Sequence, residues 1–549
     1  MSKLKKVIKS IYNCLFILMK FGPVALKREF ENRKYHNSIT QQMIDDSHIY
    51  SEEILEKQRG ASFVNSVKFS ILTPLYNTPE IYLLDMLNSL KSQTYLNWEL
   101  CLADASDDEH SYVQEICKKY CSEDSRFIYK KLVENKGISG NTNECFKLAT
   151  GDYIGLLDHD DILHSSVLYE IAKVINEENA DFIFTDEVKF EGDIHNITDV
   201  KAFNFKPGFN VDDLRSHNFI CHFTCYKKSL ADSEPVIYRD EYNGSQDHDM
   251  VLRLTEKAKK IVHISKPLYY WRLHQQSVSM DLNSKPYVVD AAIRAVSSQL
   301  ERMNEDGKVQ SSLPFLTIYK VEYPLMEKPL ISVLVNCDSK KEFNDFKIRT
   351  LNKLSYKNLE FVQFSSWNQI ADMNGEYVLM VSAQLDILHE NWIEEMLMHA
   401  QRKDIFAVSP KIYNKDFTVN YAGICLDKDA EDYLYPLCKH DSNVDIGYEG
   451  MLCHVRNVTA TSRNCMLFDK QEWLKLSSNI QLVSGYEEVV MCLNAIGEGK
   501  RNVFVPYAEC VLKKEKTMNK DSYTFYSAYK KEIKNDNRLN PNWKNLHLA

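Results

Sequence analysis

Short apolar runs alternate with longer amphipathic segments between residues 69 and 187. Residues 69–74 and 98–103 have the composition of buried strands, and residues 80–92 between them carry leucines at helical spacing. Further strands are expected at residues 126–132, 153–158 and 181–187. Because strands that alternate with helices form βαβ units, this pattern predicts an α/β fold on a parallel sheet.

A second alternating series begins at residue 329 and repeats the start of the first. Residues 69–72 match residues 330–334, and residues 95–100 match residues 356–361. Such self-similarity indicates a duplicated domain. The expected units are an N-terminal segment with a linker (1–66), a first domain (67–304), a linker (305–328), a second domain (329–515) and a C-terminal tail (516–549).

Composition places the chain among soluble globular proteins. Its 549 residues are 44% hydrophobic and 26% charged, a length that suggests two to four domains. The formal net charge of −10 argues against nucleic acid as a partner, since binding to phosphate backbones needs a basic surface. The 14 cysteines include no C-x-x-C pair, which favours reduced packing residues in a cytoplasmic protein.

The N-terminal segment is basic although the whole chain is acidic. Residues 1–34 contain nine Lys or Arg residues against two Glu, a net charge of +7. The apolar run at residues 11–19 is too short to cross a bilayer. A basic amphipathic segment can lie on an anionic inner leaflet, which predicts peripheral attachment to the inner face of the plasma membrane. The alternative is a helix docked on the protein's own surface.

Carboxylates follow three of the expected strands. They are Asp104, Asp158, Asp160, Asp186 and Glu187. Ligand sites of open α/β sheets lie outside the carboxyl ends of the strands, so these acids are expected at one sheet edge. Carboxylates there suit Mg²⁺ or Mn²⁺ with phosphate oxygens as further ligands, which indicates a nucleotide-diphosphate site. An isolated Asp-x-Asp is also typical of turns and helix caps, but convergence of three strand ends favours the site.

Several motifs in the first domain occur together in a characteristic order. They are Ile71-Leu72-Thr73-Pro74-Leu75-Tyr76-Asn77, Asp104-Ala105-Ser106, Asn135-Lys136-Gly137, Ala149-Thr150-Gly151-Asp152-Tyr153, Asp158-His159-Asp160-Asp161, Ser245-Gln246-Asp247-His248-Asp249 and Trp271-Arg272-Leu273-His274. In combination, over about residues 68–280, they resemble the inverting family 2 glycosyltransferases of the GT-A fold. The resemblance implies a Rossmann-like mixed sheet, here in two tandem copies.

The resemblance also implies roles for single residues. Asp160 and His274 are expected to bind Mn²⁺ or Mg²⁺, and Asp247 is the expected general base. Asp249 is a second candidate base, or alternatively the N-cap of a helix at residues 250–258. The residues expected to bind the nucleotide sugar are Thr73, Tyr76, Asp104, Lys136, Asp158 and Arg272. Asp186 and Glu187 are expected either to line the acceptor side or to be ordinary solvated strand ends.

The second domain resembles the same fold without its chemistry. The expected strand at residues 378–381 runs into Ser382-Ala383-Gln384-Leu385-Asp386, where paired acids would stand, and Gln384 takes the metal position. The nucleotide-binding stretch before Gly375 is nearly absent. The second domain is therefore expected to be inactive and to position the acceptor or pack against the first domain.

The leading hypothesis is a metal-dependent transferase, of hexosyl or rhamnosyl type. It would move one sugar from a UDP- or dTDP-sugar to a growing, lipid-linked bacterial surface glycan such as O-antigen, capsule or wall polysaccharide. One alternative is a nucleotidyltransferase on a similar sheet, although residues 73–77 lack the Gly-rich, basic loop that triphosphate binding uses. The other is a non-catalytic glycan-binding or scaffold protein, against which Asp160, Asp247 and His274 argue together.

Overall fold

The computed structural model describes residues 39–48, 51–274, 286–478, 480–516 and 518–546, with single residues at positions 14, 15, 18 and 23. The basic segment at residues 1–34, with its expected membrane role, otherwise lies outside the described residues. Within the described ranges, no helix combines the length and apolar character that crossing a bilayer requires.

The first domain is built on a nine-stranded mixed sheet. Its strands are β1 Phe69–Leu75, β2 Trp98–Asp104, β3 Phe127–Lys131, β4 Tyr153–Leu156, β5 Ile162–Leu163, β6 Phe182–Phe190, β7 Val200–Asn204, β8 Thr224–Lys227 and β9 Ile261–Arg272. The order is β3-β2-β1-β4-β8-β6-β9-β5, with β7 paired to β6. The five strands expected from the sequence lie where the apolar runs predict them.

Only part of this sheet is parallel. β1 pairs in parallel with β2 and β4, as the βαβ pattern predicts, and every residue of β1 and β2 is buried. β8 then runs antiparallel between β4 and β6. The helices of the domain are Glu80–Lys91, Tyr112–Glu123, Gly137–Phe146, Val167–Glu178, Val211–Ser216, Gln246–Lys257 and Pro286–Arg302, preceded by Gln41–His48 and Glu52–Arg59.

The second domain repeats this sheet. After a hairpin of β10 Lys308–Ser312 and β11 Phe315–Glu322, its strands are β12 Ile331–Asn336, β13 Leu359–Gln363, β14 Tyr377–Ser382, β15 Leu385–Ile387, β16 Ile405–Asn414, β17 Val419–Tyr421, β20 Arg456–Val458, β21 Cys465–Asp469 and β22 Arg501–Leu512. β18 Ile424–Leu426 and β19 Leu434–Pro436 form a separate two-stranded sheet. The order β13-β12-β14-β21-β16-β22-β15 matches the first sheet with the counterpart of β3 omitted. Its helices are Lys340–Lys353, Trp392–Ala400, Lys470–Ser477 and Glu487–Gly497. The expected mixed α/β sheet in two tandem copies is confirmed.

The segments expected as linker and tail have structure of their own. The hairpin of β10 and β11 lies within residues 305–328. After the second domain, the helix Ser522–Lys534 leads to a short 3₁₀ helix, Pro541–Leu546. Trp543 of this 3₁₀ helix is buried and donates a hydrogen bond from Nε1 to the carbonyl oxygen of Phe205 (2.7 Å). The chain therefore ends its described part against the first domain.

The two sheets share one hydrophobic core. A single buried cluster contains Val188 and Phe203 from the first domain together with Val333 and Trp392 from the second. A buried charge network lies beside it. Asp212 accepts hydrogen bonds from Arg402 and Arg501, at 2.7 Å each. Because apolar packing and ion pairing both cross the interface, the domains form a continuous body.

Candidate active site

The acidic turn after β4 forms the floor of the candidate site. Asp161 within it is buried and accepts hydrogen bonds from the Tyr269 hydroxyl (2.5 Å) and the Arg272 backbone N–H (2.8 Å). Burial and the like charges of Asp160 and Asp158 raise the pKa of Asp161 well above its usual value. These contacts fasten the turn to β9, so Asp158 and Asp160 stand on a fixed backbone.

The two expected metal ligands lie in contact. Nε2 of His274 is 2.6 Å from Oδ2 of Asp160, although the residues are 114 positions apart. The Asp160 side chain is 20% exposed, so it is open to a ligand on one side. The Asp160 carboxylate supplies the oxygen ligand that Mn²⁺ or Mg²⁺ requires, and diphosphate oxygens and water would fill other positions.

Arg272 has a different environment from the one expected for a diphosphate ligand. Its guanidinium is buried and donates hydrogen bonds to the carbonyl oxygens of Asp160 (2.9 Å) and Gly192 (3.3 Å). The Asp85 carboxylate accepts a third hydrogen bond (2.8 Å). With its donors used in this way, Arg272 positions the turn that carries Asp160.

Asp158 lies opposite a charged histidine that the motif analysis missed. Nε2 of His222 is 3.5 Å from Oδ2 of Asp158, whose side chain is 49% exposed to the cleft. Desolvation raises the pKa of Asp158 to about 6, with Asp160 and Asp247 adding to the effect and His222 opposing it. Burial lowers the pKa of His222, but Glu187 and Asp158 outweigh burial and raise it to about 9. His222 is therefore a cation at neutral pH.

Asp247 borders the same cleft from the start of the helix Gln246–Lys257. The Tyr238 hydroxyl and the Gln246 side-chain amide donate hydrogen bonds to its carboxylate. Its charge contributes to the raised pKa of Asp158. The carboxylate is half-buried and oriented by Tyr238, as a general base requires.

Asp249, two residues further along the same helix, faces the protein interior. It has no exposed surface and accepts hydrogen bonds from Arg239 and Arg253, each through Nε at 3.0 Å. The helix expected at residues 250–258 begins at Gln246 with Ser245 as its N-cap. The N-cap expectation for Asp249 is therefore wrong, and its contacts are those of a buried ion pair.

The expected nucleotide-binding residues at the ends of β1 and β2 differ in accessibility. Tyr76 is 48% exposed, whereas Thr73 is buried and its hydroxyl has no hydrogen-bond partner among the described residues. Asp104 is also buried, and its Oδ2 accepts hydrogen bonds from Tyr129 (2.7 Å) and Lys131 (3.1 Å). A base could reach the Asp104 carboxylate only if one of these side chains moved.

Lys136 lies at the N-terminus of the helix Gly137–Phe146 and is paired within the protein. Its ammonium is 3.1 Å from Glu144, which also binds Lys130 and Lys147, each at 2.8 Å. The hydrogen bonds from Lys130, Lys147 and Lys136 lower the pKa of Glu144 to about 2. The Lys136 side chain remains 44% exposed, so a phosphate can still approach it.

Asp186 and Glu187, expected on the acceptor side, are both buried. Asp186 binds His263 (2.7 Å) and the Asn540 side-chain amide (3.0 Å), which leaves it no surface toward a ligand. Glu187 is held by Lys206 (3.3 Å) and borders a cavity of about 230 Å³. The solvated strand-end alternative fits neither residue, because both are enclosed.

That cavity lies between the two domains and next to the candidate site. Glu187, His222 and Trp271 of the first domain line one part of it, and Tyr448 and Met451 of the second domain line another. His222 also stacks on Tyr269, with ring centroids 5.0 Å apart. The cavity therefore joins the acidic cleft to the domain interface.

In the second domain, Gln384 stands where the first domain has the acid Asp160. Its side-chain amide donates a hydrogen bond to Glu342 (3.0 Å). The nearby Asp386 is paired with Lys513 (2.6 Å) and Arg349 (3.2 Å). The described part of the second sheet also lacks a counterpart of β3. We therefore interpret these contacts of Gln384 and Asp386 as stabilising the fold.

Comparison with known families matches this site to one of them. The family model described as Glycosyl transferase family 2 matches residues 70–233, which run from β1 through the acidic turn to β8. The chain carries a family 2 glycosyltransferase domain. The expected resemblance is thereby confirmed for the first domain.

Three curated relatives match more than half of this chain. An uncharacterized protein of Sinorhizobium fredii is 28% identical over 499 residues, 81% of this chain and 53% of its own length. The O-antigen biosynthesis protein RfbC of Myxococcus xanthus is 26% identical over 65% of this chain and 30% of its own length. The amylovoran biosynthesis glycosyltransferase AmsB of Erwinia amylovora is 26% identical over 53% of this chain and 98% of its own length. This chain spans about half or less of the first two relatives.

Proposed function

We propose that this chain is a metal-dependent inverting glycosyltransferase that uses a UDP- or dTDP-sugar. The observation that carries the proposal is the contact of Asp160 with His274 on the turn that also holds Asp158, whose pKa the charge of Asp247 helps to raise. The family 2 domain supports the reaction class. Departure of a diphosphate requires groups that hold a cation, here a carboxylate and an imidazole. Attack by a hydroxyl requires a base, here a half-buried carboxylate.

Asp160 and His274 would hold Mn²⁺ or Mg²⁺. When bound, such an ion neutralises charge on the departing diphosphate. Arg272 fixes the Asp160 backbone through its hydrogen bond to the carbonyl oxygen. His222, charged at neutral pH and facing the cleft, offers a further donor to negative charge that develops there.

Asp247 is the proposed general base. Its carboxylate would take the proton of the acceptor hydroxyl as that oxygen attacks the anomeric carbon, and the bond to the diphosphate breaks. Tyr238 orients the carboxylate by hydrogen bonding to one of its oxygens. Attack from the face opposite the leaving group inverts the anomeric centre in a single displacement.

The proposed acceptor is a hydroxyl of a bacterial surface glycan. The names of two relatives, an O-antigen biosynthesis protein and an amylovoran biosynthesis glycosyltransferase, support this class. The interdomain cavity, bordered by Trp271 and Tyr448, would receive the acceptor beside the base. Lipid linkage and attachment to the inner membrane face rest on the basic residues 1–34.

The test is donor turnover by the purified chain. Release of UDP or dTDP from a panel of nucleotide sugars with Mn²⁺ is expected from the wild-type protein. Asp160→Ala should lose metal-dependent donor binding. Asp247→Asn should bind the donor as wild type does but turn over about 10²- to 10⁴-fold more slowly, because only the base is removed.

The control is Asp306→Asn, an exposed acid in the hairpin segment, which should turn over at the wild-type rate. Unchanged turnover by Asp247→Asn would exclude Asp247 as the base. Saturable donor binding without release, with every donor and with added glycan acceptors, would favour the glycan-binding alternative.

A further inference from the structure

The domain interface contains a cluster of three metal-ligand side chains outside the acidic cleft. Asp213 and His217 are four residues apart at the end of the helix Val211–Ser216 of the first domain, and His454 comes from the second. Nε2 of His454 lies 2.7 Å from Oδ1 of Asp213, and Nε2 of His217 lies 2.9 Å from the same oxygen. Among the described residues, this is the one group of three such side chains with all ligand atoms within 4.8 Å.

Two polar atoms of this cluster are buried and have no well-aligned hydrogen bond within the described residues. Asp213 is 4% exposed, and its Oδ1 has no aligned hydrogen bond within the described part of the chain. Nδ1 of the buried His454 likewise has no partner there. Buried polar atoms are rarely left in this state, so an oxygen enclosed by two imidazoles indicates a missing ligand.

The donor types suit a borderline divalent ion. Two imidazole nitrogens and one carboxylate are a common Zn²⁺ set, whereas Mg²⁺ and Ca²⁺ prefer oxygen ligands alone. The second oxygen of Asp213 accepts a hydrogen bond from Asn210 (3.2 Å), the kind of outer contact that orients metal ligands.

We propose that Asp213, His217 and His454 form a Zn²⁺-type metal site that joins the two domains. Ligand atoms around a tetrahedral zinc are about 3.4 Å apart at bond lengths of about 2.1 Å, so the two nitrogens need to move away from Oδ1 of Asp213 by only about 0.5 to 0.7 Å. His217 stands at the helix end with 22% of its side chain exposed.

All three ligands line the interdomain cavity, so the remaining coordination position would face it. An oxygen of a molecule in the cavity, or water, would complete the site. The metal would fix the wall of the cavity by tying the helix Val211–Ser216 to the segment before β20. This proposal does not depend on the transferase activity, because it is tested by metal binding alone.

The experiment uses the full chain with Asp160→Ala, which removes the other metal site. After treatment with a chelator, the protein is titrated with zinc sulfate alone and, separately, with Co²⁺, whose visible absorption reports imidazole coordination. One zinc per chain and a raised melting temperature are expected, since an ion that binds only the folded state stabilises it.

Adding His454→Gln should weaken zinc binding by at least about 100-fold and remove both the Co²⁺ absorption and the thermal shift, because loss of an outer contact alone costs about 10- to 100-fold. His217→Gln, at a partly exposed helix end, should give the same loss in a chain that folds normally. His389→Gln, an exposed histidine of the second domain, is the matched control and should bind zinc normally. If the Asp160→Ala protein takes up no zinc, or if either triad variant takes up as much, the cluster is only a hydrogen-bonded contact and the proposal is wrong.

Discussion

Asp158 and His222 are two residues whose charges depend on each other. The motif locates Asp158, but only the fold places His222, 64 positions later in the chain, at 3.5 Å from it. Desolvation, with a smaller effect of Asp160 and Asp247, raises the pKa of Asp158 to about 6, while Glu187 and Asp158 raise that of His222 to about 9. The cleft therefore holds an acid with a raised pKa beside a histidine cation. A bound metal cation would stabilise the charged form of the acid, and a bound diphosphate would pair with the histidine.

The contribution of Asp158 to the free energy of unfolding should fall as the pH rises. Its folded pKa of about 6 lies above the unfolded value of 3.8, so its favourable contribution is complete below pH 3.8 and is lost by about pH 6. Asp158→Asn should therefore raise the free energy of unfolding at pH 7.5 relative to wild type, but not at pH 4. Because the side chain is half exposed, the gain should stay below about 1 kcal/mol.

The measurement is urea unfolding in chelator, so that no cation compensates the charge. Asp306→Asn, on the surface, should show no pH-dependent gain. A gain of equal size at both pH values would contradict the raised pKa.

At the scale of elements, the first turn of the helix Gln246–Lys257 separates two acids with different functions. Asp247 borders the cleft, whereas Asp249 is buried between Arg239 and Arg253. The two residues cannot face the same way, because residues two positions apart in a helix lie on different faces. The acid-rich motif marks both residues, and the helix orientation tells them apart.

Asp249→Asn should therefore destabilise the protein by about 3 kcal/mol, since it removes a buried carboxylate from the buried Arg253 and the partly exposed Arg239. Asp247→Asn should change the free energy of unfolding by less than about 1 kcal/mol, although it should slow turnover by about 10²- to 10⁴-fold. Chemical denaturation of both variants measures the difference. If the Asp249 variant is as stable as wild type and inactive, Asp249 is the base instead.

The turn between β14 and β15 is the counterpart of the acidic turn after β4. Gln384 there donates a hydrogen bond to Glu342, whereas Asp160 in the first domain contacts the imidazole of His274. Gln384→Ala should therefore leave donor turnover within about twofold of wild type, because surface contacts of this kind contribute little. Loss of activity in the purified, folded variant would contradict the view that the second domain is inactive.

At the scale of the whole molecule, the chain closes on itself. The 3₁₀ helix Pro541–Leu546 follows the second domain but packs on the first, where Trp543 is buried and bonded to Phe205. Asn540 binds Asp186 in the same region. Asp186, which was expected to face the acceptor, is thus paired with a residue near the end of the described chain.

Trp543→Ala should lower the free energy of unfolding by about 3–5 kcal/mol, the usual cost of emptying a large buried aromatic site. Tyr523→Ala is the control, since that side chain is 84% exposed. Equilibrium unfolding in urea measures both. A loss below about 1 kcal/mol for Trp543→Ala would mean that the 3₁₀ helix does not contribute to the stability of the first domain.

Much of the fold was predictable from the sequence, because strand and helix periodicities are local properties of the chain. The strands β1, β2 and β4 lie where apolar runs predict them, and the repeated order of the second sheet agrees with the repeated sequence. The pairing of Asp160 with His274 was predicted only through family resemblance. The closure of Asp104 by Tyr129 and Lys131 was not, because it depends on which strand lies beside β2.

By itself, the sequence determined the alternating elements, the duplication and the acids at the strand ends, since these are set by residue type and spacing. The tertiary structure decided which acids face the cleft. Asp160 and Asp247 remain accessible, while Asp186 and Asp249 are enclosed by partners from distant segments. It also brought His454 to Asp213 and His222 to Asp158, because packing the two sheets together creates neighbours that no local pattern encodes.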